Sequence, residues 1–179
     1  MKTIISVSVL TLALVAALCF FVPFAEADDS SFEIAGGIGK GLENIGSTEG
    51  IVLGAYIINL SKVVELRVEP NFEYIAAKNN QSMYFAGVSP VFRFSTHGKS
   101  LNPFFDVGVG MSGGSRVILL DRSFGKDFFF SPTAGAGIKF GKSSEGFDLF
   151  ARWLHHSNAG FFHPNEGIDS VYVMIGYRF

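Results

Sequence analysis

His155 and Ser157 stand two residues apart in the run "RWLHHSNAG" (152–160), and a carboxylate, Asp169, follows in "PNEGIDS" (164–170). A serine hydroxyl, an imidazole and a carboxylate within reach of one another can carry out acyl transfer. The imidazole takes the hydroxyl proton, the oxygen attacks a carbonyl carbon, and the carboxylate orients the ring. The same three residues can also be a polar rim that does no chemistry. Which reading holds depends on the elements that position them.

Those elements read as strands. Side chains alternate faces along a strand, so apolar residues at every second position mark one oily face. Val64, Leu66, Val68, Pro70, Phe72, Tyr74 and Ala76 share a parity, with Glu65, Arg67, Glu69, Asn71 and Glu73 between them. The pattern recurs along the chain and predicts strands near 32–41, 49–60, 63–76, 82–95, 103–113, 127–140, 146–157 and 168–179. The second is the least regular, with apolar residues at both parities. Segments of ten or more residues suit a tilted strand crossing a bilayer. A sheet in lipid must close on itself, because an open edge would leave backbone groups unsatisfied. The expected fold is therefore all-β: an eight-stranded antiparallel transmembrane β-barrel of the bacterial outer membrane. Small inward residues (Gly108, Gly110, Gly135, Gly137) suit a narrow interior, where Glu65, Glu69, Arg67 and Arg93 can pair.

The N-terminus supports export. A positive start, Met1-Lys2, precedes the apolar run Ile4 to Phe24 and the A-x-A site Ala25-Glu26-Ala27. This predicts a signal peptide over 1–27, with the barrel over 28–179. Cys19, the one cysteine in the sequence, falls in the signal, so neither disulfide nor thiol chemistry is expected in the mature protein. The net charge of −2 carries no basic patch and points away from nucleic acid. The Gly141-Lys142-Ser143 stretch lacks the upstream glycine and following helix of a phosphate-binding loop. No histidine–carboxylate cluster has metal-ligand spacing, so neither metal nor cofactor is expected. Val171, Val173, Ile175, Tyr177 and Phe179 share one parity in the last strand, similar to the signal that outer-membrane barrels present to the barrel assembly machinery.

Parity also orients the candidate site. Phe147, Leu149, Ala151, Trp153, His155 and Ser157 share the face assigned to lipid, and Asp169 shares it on the last strand. Asp148, Phe150, Arg152, Leu154 and His156 face inward, which makes His156 structural. Connections alternate in length: Ser61-Lys62 and 141–145 are short, whereas 114–126 and 158–167 are long. Long loops are external in such barrels, so His155, Ser157 and Asp169 belong near the external rim. A hairpin register with Ser157 opposite Asp169 would bring their Cβ atoms within about 4.5–5.5 Å.

The motif His155-x-Ser157-Asn158-Ala159-Gly160, then Pro164-Asn165-x-Gly167-Ile168-Asp169-Ser170, resembles the active-site segment of the lipid A 3-O-deacylase (PagL-like) family. The resemblance covers roughly the last 25 residues. It implies a serine esterase that removes the 3-linked hydroxy fatty acid from lipid A of lipopolysaccharide. Ser157 would be the nucleophile, His155 the base and Asp169 the orienting acid, where the family has glutamate. Asn165 and the Gly160 backbone would be oxyanion donors, with Asn158 a weaker one. Lipid A and the surrounding outer-membrane lipid would be the partners, and a site open to lipid suits a lipid substrate. Arg116, Arg122 and Lys126 in the long loop are either phosphate contacts or solvated charges. The competing reading is a non-enzymatic small barrel, an adhesin or structural anchor. An acyltransferase would need an acceptor site that the sequence does not disclose.

Overall fold

The computed structural model describes residues 30–43, 46–98, 100–116, 118–141 and 145–179. The expected signal peptide, and Lys142 and Ser143 of the Gly-Lys-Ser stretch, lie outside the described residues. Eight strands form a closed antiparallel barrel: β1 (Ser30–Gly41), β2 (Thr48–Asn59), β3 (Val64–Ala76), β4 (Ser82–Ser95), β5 (Leu101–Gly114), β6 (Phe128–Gly141), β7 (Gly146–His156) and β8 (Ile168–Arg178). Each pairs with its sequence neighbours, and β1 closes the ring against β8 with Glu33 opposite Arg178 and Gly41 opposite Ser170. All eight expected strands are present, with ends shifted by two residues or fewer. Two small elements were not foreseen: a 3₁₀ turn at Lys78–Asn80, and a two-residue ladder, Ile118–Leu119 with Arg122–Ser123, inside the β5–β6 loop.

The barrel is inside-out relative to a water-soluble protein. Ile34, Phe72, Phe92, Phe105, Val109, Leu149 and Ile175 are exposed on the wall. Facing inward and buried are Glu33, Glu65, Glu69, Arg67, Arg93, Asp106, Asp148, Arg152 and Arg178. An apolar outer band around a polar interior is the pattern of a membrane-spanning barrel. The interior charges have partners, as burial demands. Arg67 makes a bidentate contact with Glu33 (2.8 and 3.0 Å) and reaches Glu69 at 2.7 Å. Arg93 contacts Asp106 at 2.7 Å and also Asp148, and Arg152 meets Glu69 at 2.6 Å.

The irregular second strand has a physical reason. Its inward Ile51 and Leu53 pack with Ala35, Phe104, Phe150, Leu154, Tyr172 and Met174 into an apolar layer within the polar lumen. Gly137 makes room for that layer, because a Cβ there would sit 2.4 Å from Phe150 Cβ and 2.8 Å from the Phe104 ring. A second apolar cluster, Ile75, Met83, Phe85, Leu119, Phe124, Phe129 and Ile168, plugs the end at which β7 leads into β8. That plug supports the site from within.

Candidate active site

Consecutive residues at the end of β7 divide between the two sides of the wall. His156 points inward and is buried; His155 and Ser157 point outward and are half-buried. His156 anchors the strand end. Its Nε2 lies 2.8 Å from Glu73 Oε2, its Nδ1 lies 2.9 Å from Ser131 Oγ, and its ring stacks on Phe85 with centroids 3.9 Å apart. The structural role read from parity fits this setting.

Asp169 lies directly opposite His155. Ser157 is instead bridged to Phe130 of β6, with backbone hydrogen bonds of 2.7 and 3.1 Å. The register considered from sequence, Ser157 facing Asp169, is therefore corrected by two residues: the β7–β8 ladder ends at His156–Ile168, one residue short of Ser157. The offset has a chemical consequence. His155 Nδ1 meets Asp169 Oδ1 at 3.0 Å across a directly opposed pair, a span that a short aspartate bridges without an extra methylene. With Nδ1 engaged there, Nε2 is the ring nitrogen left for a hydroxyl. Ser157 sits two residues along on the same face. Its hydroxyl has no hydrogen-bond partner among the described residues.

Two neighbours that sequence reading did not assign complete the pair. Trp153 Nε1 donates to the same Asp169 Oδ1 at 2.9 Å, and its ring lies nearly parallel to the His155 imidazole (6.0 Å, 21°). Parity alone places Trp153 on the lipid-assigned face and gives it no partner. Gly167 underlies the imidazole. It has φ of +50°, and a Cβ there would lie 2.8 Å from His155 Cε1. The glycine in "PNEGIDS" thus serves both a left-handed turn and a close approach.

The loop between β7 and β8 is organised by Asn158, which is fully buried. Its carboxamide nitrogen donates to the carbonyls of Phe124 and Phe162, and its Oδ1 accepts the N–H of Gly160 at 3.0 Å. Asn158 therefore has no donor left for an oxyanion. The Gly160 N–H would have to exchange its bond to Asn158 to serve as one. Asn165 differs: its Oδ1 accepts the Asn158 N–H at 2.9 Å, and its amide nitrogen is uncommitted among the described residues. Of the three expected donors, Asn165 is best prepared.

Further loop contacts fix the backbone around Asp169. Arg122 donates to the carbonyls of Glu166 and Gly167, so it clamps this loop and is not a free phosphate contact. Glu43 accepts the Asp169 N–H at 2.8 Å. Arg116 is exposed, and Lys126 lies over the Phe162 ring at 5.9 Å. Removing the indole donor tests the Trp153 contact. Hydrogen bonds to charged groups contribute about 1.5–3 kcal/mol, so Trp153→Phe is expected to lower kcat about tenfold with KM little changed. Steady-state kinetics on micellar substrate would check this; a rise in KM at constant kcat would make Trp153 a lipid contact instead.

A family model described as lipid A 3-O-deacylase (PagL) matches residues 60–178. The lipid A deacylase PagL of Pseudomonas aeruginosa is 37% identical over 82 residues, 46% of this chain and 46% of that protein. Its counterpart in Bordetella bronchiseptica is 30% identical over 94 residues, 52% of this chain and 49% of its own. The chain thus spans about half the length of the curated relatives it matches. Among solved structures, that of the outer membrane enzyme PagL superposes with a TM-score of 0.68 at 22% identity, covering 80% of this chain and 97% of that one. Neisserial surface protein A gives 0.58 at 11% identity, covering 83% and 95%. These last two likenesses are of fold.

Proposed function

The chain belongs to the lipid A 3-O-deacylase family, and from that premise we propose that it is an outer-membrane serine esterase acting on lipid A of lipopolysaccharide. Its reaction removes the hydroxy fatty acid esterified at the 3-position. The observation that carries this reading is the His155–Asp169 pair, held at 3.0 Å beside Ser157 on the outside of the barrel. A soluble esterase would enclose its serine; here the substrate is itself a membrane component, and its ester carbonyls lie at the depth of the rim. The first 27 residues act as the signal peptide, and the last strand is the segment taken up by the barrel assembly machinery.

The chemistry follows from the placement of the groups. Ser157 Oγ attacks the ester carbonyl carbon as His155 Nε2 takes its proton. Negative charge moves onto the carbonyl oxygen, where the Asn165 amide donates a hydrogen bond. Collapse breaks the bond to the sugar 3-oxygen, which leaves with the proton from His155. Water then attacks the acyl-serine with His155 again as base, releasing the fatty acid and restoring Ser157. Throughout, Asp169 holds Nδ1–H and stabilises the imidazolium.

Mass spectrometry of lipid A from Gram-negative cells making the protein tests the reading. The expected spectrum has lost one 3-hydroxyacyl group relative to cells without it. Unchanged lipid A, with folded protein present in the outer membrane, would leave the non-enzymatic barrel as the better description.

A further inference from the structure

Among the described residues, acidic and basic side chains face outward from the barrel wall in one place. Among the described residues of the eight strands, only Lys40, His155 and Asp169 turn a Lys, Arg, His, Asp or Glu side chain outward. They occupy β1, β7 and β8, three adjacent strands, at the same end of the barrel. Lys40 is opposite Val171, which is opposite Trp153. One step nearer the rim, Asp169 is opposite His155 and its carbonyl accepts the Leu42 N–H. Lys40 is thus the diagonal neighbour of Asp169, at a backbone separation of about 7–8 Å. Across the sheet, two strand spacings put its backbone roughly 10 Å from β7.

A cation on a lipid-facing wall is costly at mid-membrane and cheap only near the interface. The four-carbon stem lets the ammonium rise toward the headgroups while its methylenes stay against the wall. Lys40 is exposed, and its ammonium makes no hydrogen bond or ion pair with the described residues. It also lies upstream of the segment matched by the family model, residues 60–178.

We propose that Lys40 is a substrate-binding residue that pairs with a phosphate on the sugar headgroup of the lipid whose ester lies at Ser157. This rests on the lipid A deacylase reading above. An ammonium about two strands to one side of the nucleophile can hold the charged end of the headgroup while the acyl ester reaches the serine. Phosphate on a neighbouring lipid has the same chemistry, so the test must separate the two sources.

The purified full barrel in non-ionic detergent would be assayed on phosphorylated lipid A and on the same lipid after enzymatic dephosphorylation. A third arm uses the dephosphorylated substrate in micelles doped with phosphatidylglycerol. Lys40→Ala is expected to raise KM about tenfold on the phosphorylated substrate with kcat unchanged. It should have no effect on the dephosphorylated substrate, doped or not, and Lys40→Arg should restore KM. Equal KM for the Lys40→Ala variant and the unmodified protein on phosphorylated lipid overturns the proposal. So does a loss of kcat on both substrates, which would mark Lys40 as an electrostatic partner of Asp169. An effect confined to the doped micelles assigns the phosphate to a neighbouring lipid and also overturns it. Failure of the unmodified protein to cleave either lipid would instead remove the deacylase reading beneath it.

Discussion

Ser157→Ala is expected to abolish deacylation while leaving a folded barrel. If Ser157 is the nucleophile, its loss removes the acyl-enzyme route. The fall in kcat should be on the order of 10⁶-fold, as found when a triad serine is removed. The fold should tolerate the change for a structural reason. Ser157 is tied to Phe130 through backbone N–H and C=O groups, which alanine retains, and its hydroxyl makes no bond among the described residues. His155→Asn should silence the enzyme comparably, and the two losses should not multiply, because the residues act as a unit. Lipid A mass spectrometry reads the activity, and far-UV circular dichroism reads the β-sheet content. Near-normal turnover by a correctly folded Ser157→Ala variant would place the nucleophile elsewhere.

How much of this site could be read from the chain follows from what a period of two encodes. Parity assigns a face, so it correctly put His155 and Asp169 outside and His156, Arg152 and Leu154 inside. Parity says nothing about the offset between strands, because sliding one strand by two residues preserves every face. The pairing of Asp169 with His155 was accordingly out of reach of the sequence, and so was the short span that the aspartate bridges. Contacts made by loops were also hidden. Glu43 meets the Asp169 N–H from the β1–β2 connection, and Asn158 spends its amide on the carbonyls of Phe124 and Phe162. Trp153 did leave a signal: it shares the outward face two residues before His155. An indole N–H on an apolar wall needs an acceptor, and Asp169 is a carboxylate on that same face.

Asp169→Asn should lower turnover sharply, up to about 10⁴-fold by comparison with the serine-protease aspartate. That comparison combines two losses, the negative charge that stabilises imidazolium and the acceptor that fixes the tautomer. Here they can be separated. Asp169 Oδ1 accepts from both His155 Nδ1 and Trp153 Nε1. In the D169N variant the indole N–H favours the carboxamide rotamer that presents its oxygen, which keeps Nδ1 protonated and Nε2 available as base. The single variant should therefore lose mainly the charge. Adding Trp153→Phe frees the carboxamide to turn its NH₂ toward His155, so the double variant should fall further than the product of the two single effects. Asp169→Glu should retain substantial activity. The side chain is about one-third exposed, which leaves room for a methylene, although the longer chain must fold back to reach an imidazole placed directly opposite. Steady-state kinetics of the two single variants, the double variant and Asp169→Glu on lipid A decide the matter. If Asp169→Asn turns over like the unmodified protein, the Asp169–His155 contact is not what orients the base.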